Sequence, residues 1–501
     1  MRLYKKEGDT LKILCLPDEE VEKGDYLLVE EPDKDRALVA QVVDIQFANI
    51  PGVLEELLRD SIVSYLDCGQ DVDPFDLESH LAYLEDAKLL LCKIRGGLVS
   101  GRLTDQMYWL PSRSRSRIRR LSTSELLELS GAGGELPIFI GSARDGSEVH
   151  VDARALDGAL TIITGKKGTG KSHLSKLLVL GLISYGATVV ILDLNGEYTR
   201  LGYGRDGRPN EFHDRILVLK PGENFKTTLA RAGLSVMMNI MVHALSLPGT
   251  SAREFKRIWY HLEGHGRLTL KDLENAIRSW RCNENVRDAL FSRYYALSSS
   301  GFFTDEPGDA LDLEDALLAL GERGGAVVIN LRDLSAVDRR VVVEYVLGKL
   351  TELLSRWILR AVFLFAEEAH LYLRETYWED VVTRMRHLGI FTTFITNQPD
   401  TIRDNIYRQA DNIFLFNFTN QKDLEMVAKA SRVDADTVKA IARELPPGHC
   451  LIIGSAVRDL PIVVKVRELD VETMGRTRYF FSGAETGPAE GRGARADILA
   501  T

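Results

Sequence analysis

The stretch Thr164–Leu174, "TGKKGTGKSHL", contains G-x-x-x-x-G-K-S, a spacing that wraps backbone N–H groups around nucleotide phosphates. The apolar "LTII" before it reads as a strand, and "KSHLSKLLVLGL" after it as a helix whose N-terminus faces an anion. Gly165, Gly168 and Gly170 permit the tight loop between the two. Lys171 is placed to bridge the β and γ phosphates of ATP, and Ser172 to hold Mg²⁺. Thr169 and His173 complete the expected nucleotide-binding set.

A phosphate loop needs carboxylates for metal and water, and "RAVFLFAEEAHLYL" supplies them. An apolar strand, Val362 to Phe365, leads to Glu367 and Glu368 at its carboxyl end, where α/β sheets bind ligands. Glu367 is expected on the Mg²⁺ side and Glu368 as general base for the attacking water. "FTTFITNQPD" repeats the arrangement and sets Asn397 and Gln398 at a strand end, to orient water and sense hydrolysis; turn chemistry before Pro399 is the other reading. "VVILDLNGEYTR" ends a further strand with Asp193 and Glu197, which either support the Mg²⁺ shell or cap a turn; Asp193 is taken as a metal-side residue. "EDVVTRMRHLGI" reads as a short helix whose Arg384 and Arg386 are either solvated or, from one subunit, reach the γ-phosphate of the next; Arg386 is the preferred finger.

Seven near-continuous apolar runs, "ALTIITG", "ATVVILDL", "RILVLK", "GAVVINL", "AVFLFAEEAH", "IFTTFITNQ" and "NIFLFNF", alternate with helical segments. That is the texture of an α/β sheet of parallel strands covered on both faces. About Lys226 to Asp305 reads as a helical insertion. Residues 1–125 hold short β-like runs, read as a small β-barrel with a helix around "VLEELLRDSIVSYL". Residues 126–470 form the α/β core, and 471–501 a small, polar tail. "RSRSRIRR", with five Arg between Arg113 and Arg120, is either a solvated linker or a phosphate-contacting segment.

At 501 residues and 45% hydrophobic content the chain has room for two or three domains. Its longest apolar run, Leu177–Leu192, is too short for a bilayer and is broken by Gly181, Ser184 and Gly186, and "MRLYKKEGDTLKI" is polar, so a cytoplasmic location is expected. Five scattered cysteines without C-x-x-C give no metal or disulfide pattern. The net charge of -10 argues against a uniformly basic DNA-coating protein but not against a basic inner channel.

The order of a β-rich start, "GKKGTGKS", "DLNGEY", "EEAH", "TNQP" and "LPPGHCLIIG" resembles the HerA-type hexameric DNA translocases of the HerA/FtsK branch of P-loop ATPases, over roughly residues 1 to 470. The resemblance implies a RecA-like core behind an N-terminal barrel of that family's type. It also implies ATP and Mg²⁺ as cofactors and a homohexamer that draws duplex DNA through a central pore without sequence preference. It places the Walker lysine on Lys171, the catalytic acid on Glu368, the sensor glutamine on Gln398 and the trans arginine on Arg386. A NurA-type nuclease in DNA end processing is the implied partner. The alternative is a ring that scaffolds an antiviral effector, a nuclease or a sirtuin-like NAD-consuming enzyme. No membrane partner is expected.

Overall fold

In the computed structural model, which describes residues 1–48, 86–104, 109–132, 134–308, 310–372, 384–418 and 420–472, the strands fall into two sheets. The helix expected around Val53–Leu66, the start of the arginine helix at 379–383 and the tail beyond 472 lie outside the described residues.

The first sheet is antiparallel. Its strands are β1 (Arg2–Glu7), β2 (Thr10–Cys15), β3 (Tyr26–Glu31), β4 (Arg36–Phe47), β5 (Lys88–Val99), β6 (Arg102–Thr104) and β7 (Arg117–Leu121), in the order β1-β2-β5-β4-β3-β7 with β6 beside β5. Leu11, Ile13, Leu27, Val29, Leu38, Val42 and Leu90 point to one face and make its core. The long β4 bends at two bulges, between Val39 and Ala40 and between Val42 and Asp44, which curls the sheet around that core. Among the described residues no ladder joins β1 to β7, so the small β domain is a half-barrel. "RSRSRIRR" is not a linker: it enters β7, where Arg119 pairs with Glu30 and Glu125 and Arg120 with Asp25 at 3.1 Å. Charged side chains on an edge strand also discourage pairing with another chain.

The second sheet carries β8 (Pro137–Ala143), β9 (Glu148–Asp152), β10 (Thr161–Thr164), β11 (Thr188–Asp193), β12 (Ile216–Leu219), β13 (Gly325–Asn330), β14 (Val362–Glu367), β15 (Ile390–Thr396), β16 (Asn412–Leu415), β17 (His449–Gly454) and β18 (Ile462–Val466). Their order is β12-β13-β11-β14-β15-β10-β16-β17-β18-β8-β9, parallel from β12 to β16 and antiparallel beyond. Every one of the seven apolar runs is a parallel strand. The order sets β15 between β10 and β14 and so brings the carboxyl ends of all three together.

The helix Lys171–Ser184 covers one face, burying Leu174, Leu177, Leu178 and Ile183 against Ile163, Ile191 and Phe365. Each such leucine is worth about 2–5 kcal/mol against alanine. The helix Ala336–Ser355 covers the other face and carries the insertion. That insertion follows β12 and returns at β13, with helices Leu229–Asn239, Gly249–Gly264, Leu270–Ser279, Glu284–Ser299 and Leu313–Leu320, so it runs further than the pattern suggested. Phe255, Ile258, Trp259 and Leu262 form the buried stripe of its second helix. Phe225, Phe302, Phe303 and Tyr345 meet edge to face where it joins the core.

The two sheets are tied by polar contacts. Tyr26 and Gln41 both donate to the Pro461 carbonyl at 2.9 Å, and Arg95 reaches Asp434 at 2.7 Å and Thr437 at 2.6 Å. Among the described residues no helix is long and apolar enough to cross a membrane.

Candidate active site

The site is built on the carboxyl edge of the parallel strands. Between β10 and its helix the chain passes so close to β16 that a Cβ at Gly165 would lie 2.5 Å from Phe416 Cβ, and Gly170 caps the helix at φ +116°. Only glycine meets both demands. The helix start has no side-chain cap, so its first amides are free for an anion. Lys171 Nζ folds back to the Lys166 carbonyl at 3.0 Å, which also accepts from Thr169 Oγ1 at 2.7 Å. Burial pulls the Lys171 ammonium below its ordinary range, against the pull of Glu368, Glu197 and Glu367. Gly448 N–H donates to the Thr169 carbonyl at 3.1 Å, so the loop before β17 braces the phosphate loop. His173 Nε2 lies 2.8 Å from the Arg467 carbonyl, which fixes its ring against the chain beyond β18.

Glu367 ends β14 and is only 2% exposed. Its Oε1 accepts from Ser172 Oγ and its Oε2 from Asn195 N–H, both at 3.4 Å. Burial pushes this carboxyl well above its ordinary range, and the nearby Glu197 and Asp193 push it further. Hard oxygens gathered at one spot with surplus negative charge fit Mg²⁺, with Ser172 and Glu367 the residues to hold it.

Glu368 follows at φ 46°, ψ 45°, the left-handed region that a residue with a Cβ adopts at a cost of about 1–3 kcal/mol. The turn is locked by Glu368 N–H on the Ile395 carbonyl at 2.8 Å. It swings the side chain off the strand direction so that Oε2 accepts from Thr396 Oγ1 and Asn397 N–H, both at 3.4 Å. Gln398 is exposed at the mouth of the cleft. Its carbonyl accepts from Thr401 Oγ1 at 2.6 Å, so the turn reading of "NQPD" holds for the backbone while the side chain stays available.

These groups line one cleft of about 580 Å³, a volume suited to a nucleotide. It brings together Gly168, Gly170, Lys171, Ser172, His173, Glu367, Glu368 and Gln398. Asp193 is placed differently. It is fully buried, and its two oxygens accept from Glu197 N–H and Tyr198 N–H, each at 2.9 Å. Asp193 thus caps the turn that follows β11, the second of the two readings its place at a strand end allowed; Glu197, on the same turn, lines the cleft.

Arg386 is not brought to this cleft. It precedes β15, at the amino edge of the sheet, and pairs with Asp411 Oδ2 at 3.1 Å, 44% exposed. Asp411 also accepts from Leu160 N–H at 2.9 Å, just before β10, and pairs with Arg432 at 3.3 Å.

Two residues of the cleft went unnoticed in the sequence. Lys176, 2% exposed, lies one turn beyond Ser172 on the same helix face. Burial lowers its ammonium, opposed by Glu197, Glu367 and Asp193, and it stands 5.4 Å over the Tyr198 ring. His370 follows the acid pair, and its spacing from Glu368 was the available signal.

Comparison with known proteins agrees with the geometry. Residues 138–350 match the family model described as "Helicase HerA, central domain". The DNA double-strand break repair helicase HerA of Sulfolobus acidocaldarius is 22% identical over 493 residues, 91% of each chain. Its namesake from Saccharolobus solfataricus is 22% identical over 354 residues, 66% of this chain and 68% of that one. Among solved structures, VirB4 of Thermoanaerobacter pseudethanolicus superposes with a TM-score of 0.51 at 16% identity, over 68% of this chain and 98% of that one. The bacterial conjugative coupling protein TrwBdeltaN70 gives 0.50 at 16%, over 70% and 92%. Those two likenesses establish the RecA-like fold of the core. With that fold and that site, the chain is similar to the HerA-type P-loop ATPases, and its residues 138–350 match the central domain of that family.

Proposed function

We propose that the chain is an ATP-driven translocase that assembles into a ring, a hexamer by family resemblance, and moves duplex DNA through its pore. The observation that carries this reading is the convergence of Lys171, Ser172, Glu367, Glu368 and Gln398 on one cleft at the carboxyl edge, in a chain whose relatives are named DNA double-strand break repair helicases.

In this reading the free amides of Gly168 to Lys171 cradle the phosphates, and Lys171 leaves the Lys166 carbonyl to meet them. Ser172 and Glu367 would hold Mg²⁺, which would neutralise charge at the phosphates. Glu368 accepts a proton from the attacking water, and Gln398 orients that water from the next strand. Arg386 stands at the far edge from its own phosphate loop, which supports a role in the site of a neighbouring subunit, with release from Asp411 on assembly. Ring closure then couples hydrolysis at one interface to movement of the next, and contacts with DNA phosphates make the activity salt-sensitive. A nuclease of the NurA type is the partner this function calls for.

The test is steady-state ATPase of the full chain with Mg²⁺, alone and with long linear duplex DNA, at two salt concentrations. DNA should raise the rate, more at low salt, and Glu368→Gln should lower it about 10²- to 10⁴-fold. A rate indifferent to DNA in a ring that still assembles overturns the translocase reading.

A further inference from the structure

His370 sits two residues beyond Glu368, on the 3-10 turn Ala369–Leu371 that the left-handed glutamate opens. Its ring lines the cleft with 11% of the side chain exposed. Nδ1 is buried and has no hydrogen-bond partner among the described residues, a state that costs a polar atom about 1–3 kcal/mol. It lies 3.6 Å from Glu368 Oε2, just outside hydrogen-bond range. Burial holds the imidazole below its ordinary range, against Glu368 and Asp400, so the ring carries one N–H. Only the tautomer with that proton on Nδ1 turns a donor to the carboxylate; the other sets a lone pair against a negative oxygen.

The three groups at Glu368 all approach the same oxygen. Thr396 Oγ1 and Asn397 N–H reach Oε2 at 3.4 Å, His370 faces it at 3.6 Å, and among the described residues no donor is on Oε1. We propose that His370 is a positioning residue: its Nδ1–H closes onto Glu368 Oε2 and, with Thr396 and Asn397, holds that oxygen so that Oε1 is presented to the attacking water. The inference rests on the reading of Glu368 as the base. It also makes the aim of the carboxylate depend on two strands at once, since His370 follows β14 while Thr396 ends β15 and Asn397 follows it.

The experiment compares His370→Asn, His370→Gln and His370→Ala in the full chain, with duplex DNA and Mg·ATP and with Glu368→Gln alongside. Asparagine sets an amide N–H near the place of Nδ1, glutamine near that of Nε2, so position is tested apart from polarity. Alanine and glutamine should lower kcat by about tenfold to 10²-fold with KM within about twofold, while asparagine retains most of the rate. Binding of a fluorescent ATP analogue reports that each variant keeps its site; if alanine unfolds the turn, asparagine against glutamine decides. Wild-type kcat in the alanine variant, or asparagine no better than glutamine, overturns the proposal. Undiminished turnover in Glu368→Gln instead overturns the base assignment itself, whereas a dead Glu368→Gln beside an unaffected His370→Ala removes only the role of His370.

Discussion

The two edges of the same parallel strands are built on opposite principles. At the carboxyl edge, Glu368, Glu197 and Glu367 crowd around Lys171, whose ammonium donates to the Lys166 carbonyl, and Glu368 is held in a left-handed conformation. At the amino edge, Arg386 and Arg432 converge on Asp411, which also caps the strand start at Leu160, so each charged group there has a partner. One edge stores unmet electrostatic demand and the other stores it satisfied. Acids at one end and arginines at the other are what the proposed ring, with its subunits head to tail, would require.

That contrast is open to attack at several points. The largest effect is expected from Lys171→Ala, which should take ATPase to background by removing the cation at the phosphates. Arg386→Ala should lower turnover by about 10³-fold or more if the arginine acts across subunits. Mixing Arg386→Ala with Lys171→Ala subunits should then restore part of the rate, because a mixed interface has one intact copy of each group. Mixed rings that stay inactive would break the idea that the two edges meet. Asp411→Asn should cost about 1–3 kcal/mol by thermal melting, since it weakens two ion pairs and the cap on Leu160, while the assembled ring keeps its ATPase. An unchanged melting temperature would mean that the amino edge does not need its ion pairs.

The smallest effect concerns pH and lies away from both edges. Burial opposes ionisation of Asp434, yet the hydrogen bonds from Arg95 and Thr437 outweigh it and hold the carboxyl below 3.8. A lowered carboxyl contributes stability that is fully present above its unfolded pKa and is lost as pH falls through the folded one. The contact between the half-barrel and the core should therefore weaken only below about pH 4. Arg95→Ala should remove that acid-dependent part of the melting curve and leave the slope at neutral pH alone.

Much of this was written plainly in the chain. Parallel strands covered on both faces need continuous apolar runs, so "ATVVILDL" and "IFTTFITNQ" announce themselves without partners. The phosphate loop is as plain, because the close approach to Phe416 and the positive φ of Gly170 each demand glycine at a set spacing. Asp193 was harder, since an acid at a strand end looks the same whether its oxygens face a cation or the amides of Glu197 and Tyr198. Lys176 resembles any solvated lysine until the helix is docked and its ammonium turns to the acids. "RSRSRIRR" misled for a different reason: its partners Glu30 and Asp25 lie roughly 90 residues upstream, beyond any local pattern.

The insertion leaves the sheet after β12 and returns at β13, with β11, β14 and β15 standing between β13 and the phosphate-loop strand β10. At the usual strand spacing that places its nearer root, at β13, roughly 19 Å from β10. Its helices expose Tyr260 and Tyr295 on faces turned from the core. A dye or an affinity handle grafted there would sit like a flag well away from the cleft, and labelling should leave the ATPase rate unchanged.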